Sequence, residues 1–169
     1  PSDIINAAVY KKYIWGVLTA SMDACYLPLD SVAGAATKFP LGSVMGLGGF
    51  LVAIGTWTLD GGSGPDDYIC FISSRGQVAI YKGTDPSSTT TWSLVGVFNM
   101  GAPIGRRCFT RAGADVAIIC VDGVVPLSKV MIFERAAVQK VALTENIQHV
   151  MNTSARAYMD HFGWQLISY

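Results

Sequence analysis

Charged residues are scarce in this sequence. Asp, Glu, Lys and Arg make up 14% of it, against about 25% in a typical soluble domain. Apolar residues make up 51%, so little charge is left to cover a free monomer, and a subunit that buries much of its surface in an assembly is expected. Basic and acidic residues number 12 each. With formal net charge zero, no global basic field draws the chain to nucleic acid, although a local patch remains open.

Cysteine is sparse too. Cys25, Cys70, Cys108 and Cys120 are widely spaced, with no CxxC pair. Cys25, Cys70 and Cys120 lie in apolar runs, which predicts buried free thiols rather than disulfides or a metal site. Histidine is limited to His149 and His161, so a Cys/His zinc site is not expected. The charge-free run Ser43–Leu59 is 17 residues long and holds four glycines, short of the roughly 18–20 apolar residues of a spanning helix. No basic region followed by a cleavage site marks a secretory signal. The sequence opens on "PSDIIN" without an initiator methionine and stops inside the strand-like "GWQLISY". A piece of a longer chain, or a last strand that pairs with another chain, is therefore expected.

What is abundant is short apolar runs between Gly, Asp, Pro and Ser. Strands are predicted at Ile14–Ala20, Cys25–Leu29 and Phe50–Leu59. A hairpin follows: Tyr68–Ser73, the turn Ser74-Arg75-Gly76, then Gln77–Lys82. After the polar loop "GTDPSSTTT" comes Trp92–Phe98. A second hairpin joins Asp115–Val121 to Val124–Lys129 through Asp122-Gly123, a pair that suits a type I′ turn. Gly76 and Gly123 are 47 residues apart, and "LPL" at Leu27, "VAI" at Val78 and "VPL" at Val125 repeat the pattern at 47–51 residues. That period matches the roughly 40–50 residues of a propeller blade. The fold expected is mainly β, with propeller-like blades of antiparallel strands; a β-sandwich is the alternative.

The pattern changes at Glu134. No Pro or Gly occurs from Arg135 to Asp160, and Leu143, Ile147, Val150/Met151, Tyr158 and Phe162 fall on one helical face. The spacing predicts a helical insertion with that stripe turned inward against the sheets, Thr144 capping a second helix and Gly163 stopping it. The chain thus divides into blades over 1–133, a helical segment over 134–162 and the start of a further strand over 163–169.

Few motifs carry chemistry. "GAPIGRRC" lacks the Gly-Lys-Ser/Thr ending of a P-loop. Its Arg106 and Arg107 suit a charge-assisted contact to phosphate or to a partner's carboxylate; an ion pair with Asp115 or Asp122, or plain exposure, is the competing reading. No G-x-S-x-G elbow is present. Asp60, Asp66 and Asp67 form an acidic group without the ordered calcium-loop pattern. "NTS" at Asn152 lies within the helical segment. No nucleophile, base and oxyanion set assembles, so no enzyme and no cofactor is expected. A hydrolase using Asp60, Asp66 or Asp67 remains a distant third reading. A sugar-binding adhesion module built on Trp57, Trp92 and Tyr81 with the loop Gly83–Thr91 is the second.

The first reading comes from a resemblance. "YLPLD", "GAATKFPLGSV", "GQVAIYKGTDPSSTTTWSLVGVFNMGAPIGRRC" and "DGVVPLSKV", spread from Tyr26 to Gln165, resemble the tail hub proteins of short-tailed bacteriophages, also called packaged-DNA stabilisation proteins. The resemblance implies a structural virion protein: a propeller-like subunit below the portal that helps retain packaged DNA. It implies a ring of copies, contacts with portal or adaptor and tail proteins, non-specific contact with DNA, and no catalytic residues. It implies a place at the head-to-tail interface of the virion, reached from the host cytoplasm during assembly, and no membrane. Proteins of that family are several times longer, so closure of a propeller would have to come from elsewhere.

Overall fold

A computed structural model of the chain describes residues 3–60, 65–113, 115–133, 137, 139–160 and 163–167. The fold is mainly β, with 46% strand and 14% helix in three open antiparallel sheets. The first sheet is a meander of β1 (Ile4–Tyr10), β2 (Tyr13–Leu18), β3 (Asp23–Tyr26) and β4 (Thr37–Pro40). The second repeats that order with β5 (Leu51–Asp60), β6 (Pro65–Ser73), β7 (Gln77–Gly83) and β8 (Trp92–Asn99). The third has β9 (Phe109–Ala112), β10 (Asp115–Cys120) and β11 (Gly123–Pro126), with β10 in the middle.

The sheets stack face to face, with the second in the middle. Leu51, Ile54, Ile69, Phe71, Ala79, Tyr81 and Trp92 of the second sheet share one core with Trp15, Val17, Ala24 and Tyr26 of the first. Its opposite face, including Val52, Trp57, Cys70, Ile72, Val78 and Ile80, shares a second core with Val116, Ile118, Cys120 and Val125 of the third. A sheet covered on both sides needs apolar residues at every position. This is why "YICFI" and "VAIY" are continuous apolar runs rather than alternating ones. Three stacked layers are one more than a sandwich has.

Both glycines singled out in the sequence end turns between the second and third strands of their sheets. Gly76 sits at φ 82° and Gly123 at φ 109°. A Cβ on Gly76 would collide with the Met100 and Gly101 carbonyls. The three sequence echoes fall on or just after β3, β7 and β11, each the third strand of its sheet. The Asp122-Gly123 turn differs from expectation. Cys120 pairs with Gly123, so Val121 and Asp122 form the turn, and neither has positive φ. The two-residue turn with both φ values positive is instead Lys11-Lys12, at 45° and 68°, between paired Tyr10 and Tyr13.

The C-terminal part corrects three further expectations. The strand begun at Val124 ends at Pro126, which has no N–H to continue the ladder. The chain turns into helix α1 (Leu127–Val130), whose Ser128 amide and hydroxyl donate to the Asp115 carboxylate at 3.2 and 2.5 Å. Short 3-10 turns at Gln139–Val141 and Glu145–Ile147 then lead to helix α2 (Gln148–Tyr158). Thr144 precedes the second 3-10 turn but makes no side-chain cap there; its hydroxyl accepts from the Val124 amide at 3.0 Å. Most of the predicted stripe points outward: Ile147 is 53% exposed, Val150 61% and Tyr158 52%, while Ala155 is buried and Met151, of the same stripe, packs against the second core. The helix meets β11 at its start, where Gln148 lies beside Gly123. Phe162 lies outside the described residues, and Gly163 is past the end of α2. Of the expected terminal strand, Gln165 forms a parallel bridge with Arg107, and the Leu166 amide donates to the Arg107 carbonyl at 3.2 Å.

Candidate functional site

The first strands of the three sheets form a row. The Ile54 amide donates to Asn6 Oδ1 at 3.4 Å, and the Tyr10 hydroxyl to the Asp67 carbonyl at 2.7 Å. Asp67 is paired with Thr58, so β1 and β5 run in the same direction. On the other side of β5, Gly55 lies against the Phe109 ring, and Arg111 Nη2 donates to Thr56 Oγ1 at 3.2 Å. Hence β9 runs that way too. Each first strand opens a meander whose later strands lead away from the row.

Arg106 and Arg107 lie just before β9. Their segment is pinned on both sides. The Ile104 amide donates to the Ile119 carbonyl at 3.1 Å, and the Ile119 amide to the Cys108 carbonyl at 2.7 Å. Ile104 and Cys108 are buried, and Gly105, at φ 74°, lets the backbone bulge between them. Both arginines are therefore held out into solvent. Arg107 Nη1 reaches Gln165 Oε1 at 3.4 Å. The ion pairs between described residues, Lys11–Asp67, Lys12–Asp30 and Lys38–Asp23, do not include either arginine. Asp115 serves α1 instead. Of the competing readings, exposure is what the structure has.

The polar loop after β7 is turn chemistry. Asp85 Oδ1 accepts from the Ser87 amide at 2.9 Å and the Ser87 hydroxyl at 2.7 Å, contacts that hold its carboxyl below the ordinary range. Beside the loop lies a cleft of about 310 Å³ lined by Lys11, Asp67, Lys82, Thr84, Thr91 and Ser93. Lys11 is ion-paired with Asp67, and the Thr58 hydroxyl donates to the same carboxylate at 2.7 Å. Nothing in the sequence marks Lys11 or Lys82, because the first sheet's turn meets the second sheet's loop only in three dimensions.

The aromatic set proposed for a sugar lies in the core. Trp57, Tyr81 and Trp92 are buried. Trp92 stacks on Trp15 at 5.4 Å and on Tyr81 at 5.8 Å, and Trp57 stacks on Tyr68 at 5.0 Å. These three rings offer a sugar no exposed face. The side chains of Asp60 and Asp66, and all of His161, lie outside the described residues; His149 is exposed on α2. Among the described residues, no group of three or more His, Cys, Asp or Glu could hold a metal ion. Asn152 of the sequon sits within α2, where its Oδ1 accepts from Gln148 Nε2 at 2.9 Å. No described helix is long and apolar enough to cross a membrane.

No protein-family model, curated protein or solved structure matches this chain. Its chemistry must therefore be read from its own surfaces. They present exposed guanidinium groups, a hydroxyl-lined cleft and uncovered apolar faces, all of them suited to contact.

Proposed function

We propose that this chain is a structural component of a tailed-phage tail hub, its sheets acting as propeller-type blades near a DNA exit channel. The row of parallel first strands β1, β5 and β9 carries this reading. Blades of a propeller are antiparallel meanders repeated radially around a channel, and a row of this kind is the element that would line it. The resemblance in the sequence supports the same reading, and so does the scarcity of charge. The mechanism is mechanical. The blades bury sheet faces against neighbours, while loops at their ends meet the portal or adaptor on one side and tail proteins on the other. Arg106 and Arg107, exposed just before β9, would contact DNA phosphates without reading sequence.

Two measurements test this. The chain should bind purified head-to-tail complexes of its phage and occupy the ring below the portal in particle reconstructions; a location elsewhere in the particle overturns the reading. Duplex DNA of unrelated sequences should bind with equal, salt-sensitive affinity. An Arg106→Gln/Arg107→Gln variant should flatten the log K against log salt slope by up to about 1.8. An unchanged slope removes DNA contact from the role of these arginines.

A further inference from the structure

We infer that the cleft between the β1–β2 turn and the loop after β7 binds a sugar acid, a ligand with one carboxylate and several hydroxyl groups. Two lysines, Lys11 and Lys82, the Asp67 residue and four hydroxyl-bearing residues line it. Its volume of about 310 Å³ falls at the lower end of the roughly 300–1,000 Å³ of ligand pockets and suits a small ring compound. No aromatic ring takes part, so recognition here is polar.

The charges select the ligand. Lys11 is ion-paired with Asp67, so these two cancel. Lys82 is exposed and takes part in none of the ion pairs between described residues. One positive charge is left, and it suits one negative charge. Asp67 Oδ1 accepts from the Thr58 hydroxyl at 2.7 Å and Oδ2 meets Lys11. Each carboxylate oxygen keeps a second lone-pair site, which only a donor can use, whereas serine and threonine hydroxyls both donate and accept. A phosphate dianion would exceed the single free charge and has no hydrogen to give Asp67. A neutral sugar would leave Lys82 unmatched. A sugar acid meets both demands, with its carboxylate on Lys82 and its hydroxyls on Asp67 and the loop.

The cleft is built before a ligand arrives. Gly83 holds φ 140°, and a Cβ there would lie 2.0 Å from the Thr91 carbonyl oxygen, so only glycine lets the two ends of the loop come this close. The Thr84 amide donates to the Thr91 carbonyl at 3.1 Å, and the Trp92 amide to the Ser88 carbonyl at 3.0 Å. Lys82 and Ser93 are partners across β7 and β8. The turn that carries Lys11 is tied to β6 by the Tyr10 hydroxyl, on the Asp67 carbonyl at 2.7 Å. Lys11 itself sits at φ 45°, in a region that costs a side-chain-bearing residue and that clusters at ligand clamps and active sites. Groups already held in place lose little freedom on binding.

NMR titrations of the full chain with galacturonate, galactose and inorganic phosphate test this. Galacturonate should bind, and galactose, with a hydroxymethyl group in place of the carboxylate, should bind about tenfold more weakly or less. Lys82→Met keeps the stem and removes the charge. It should lower galacturonate affinity to that of galactose and leave galactose unchanged, with a melting curve confirming the fold. A galacturonate trimer that binds more tightly than the monomer points to an acidic polysaccharide as the source, and equal binding to a free sugar acid; either supports the inference. No galacturonate binding, tighter binding of phosphate, or a preference that survives Lys82→Met overturns it. So does a short DNA duplex that displaces galacturonate and is itself weakened by Lys82→Met, which would assign the cleft to nucleic acid. The site does not depend on a place below the portal, so its failure leaves the tail-hub reading standing, and failure of that reading leaves the site.

Discussion

The Val124 amide donates to the Thr144 hydroxyl at 3.0 Å, and one residue earlier the Leu143 amide donates to the Val124 carbonyl at 2.8 Å. These two bonds close the edge of a sheet that has three strands where the other two have four. A short irregular segment thus does for β11 what β4 and β8 do for β3 and β7. It covers outward-facing backbone groups that would otherwise template pairing with another chain.

Removing the Thr144 hydroxyl should therefore cost more than an exposed substitution. Thr144→Val keeps the shape but leaves the Val124 N–H without its acceptor, for a loss of about 1–2 kcal/mol. Thr144→Ser should recover most of it. Urea unfolding of the three proteins checks this, and a Val variant as stable as wild type would mean that water serves the edge equally well.

The Lys11-Lys12 turn predicts a gain. Lys12 holds φ 68°, in the left-handed region that costs an L side chain roughly 1–2 kcal/mol. Lys12→Gly relieves that strain but adds freedom to the unfolded chain. Its exposed pairing with Asp30, at 3.4 Å, is worth little. A net stabilisation of about 0.5–1 kcal/mol is expected, seen as a higher denaturation midpoint. A lower midpoint would show that the turn needs the lysine.

Asp67 sets a pH dependence. The contact with Lys11, then the Thr58 hydroxyl, holds its carboxyl below the ordinary carboxylate range. A carboxyl depressed in the folded state contributes stability above its unfolded value, about 3.9. That contribution is lost as pH falls through the lower folded value. The pair is partly exposed, so the effect at neutral pH is about 1 kcal/mol or less. Asp67→Asn should melt earlier than wild type at pH 7, and the two should converge below both values. A gap that persists in acid would mean that the substitution acts through something other than charge.

The thiols should be inert in the folded chain. All four cysteines are free and buried, and burial pushes Cys70, Cys108 and Cys120 up to about 12. The reactive thiolate is then nearly absent at pH 8. A thiol reagent should label none of these three in the native protein and all four cysteines once it is unfolded. Native labelling at the rate of free cysteine would contradict the packing of the second core.

Much of this architecture is legible in the sequence because it is local. Glycine after Ser74-Arg75 and after Val121-Asp122 turns the chain wherever those residues occur, and apolar runs between such turns become strands. Burial of Cys70 and Cys120 follows from the runs that hold them. Strands β1, β4 and β9 were less legible. "IINAAVY", "TKFP" and "FTRA" carry weak strand signals, and they are extended because β2, β3 and β10 pair with them.

Orientation needed the tertiary structure. Periodicity identifies the stripe of Ile147, Val150 and Tyr158, but which side of a helix faces inward depends on how closely it can approach its neighbour. Met151 and Ala155 take the inward side, so Ile147, Val150 and Tyr158 face out. Aromatic residues beside a polar loop suit a surface as well as a core, until Trp15 of another sheet stacks on Trp92. The pairing of Lys11 with Asp67, and of Val124 with Thr144, joins residues far apart in the chain. Turn chemistry and hydrophobic runs act over a few residues and were set by the sequence alone; which faces were covered, and which were left open, was decided only when the sheets stacked.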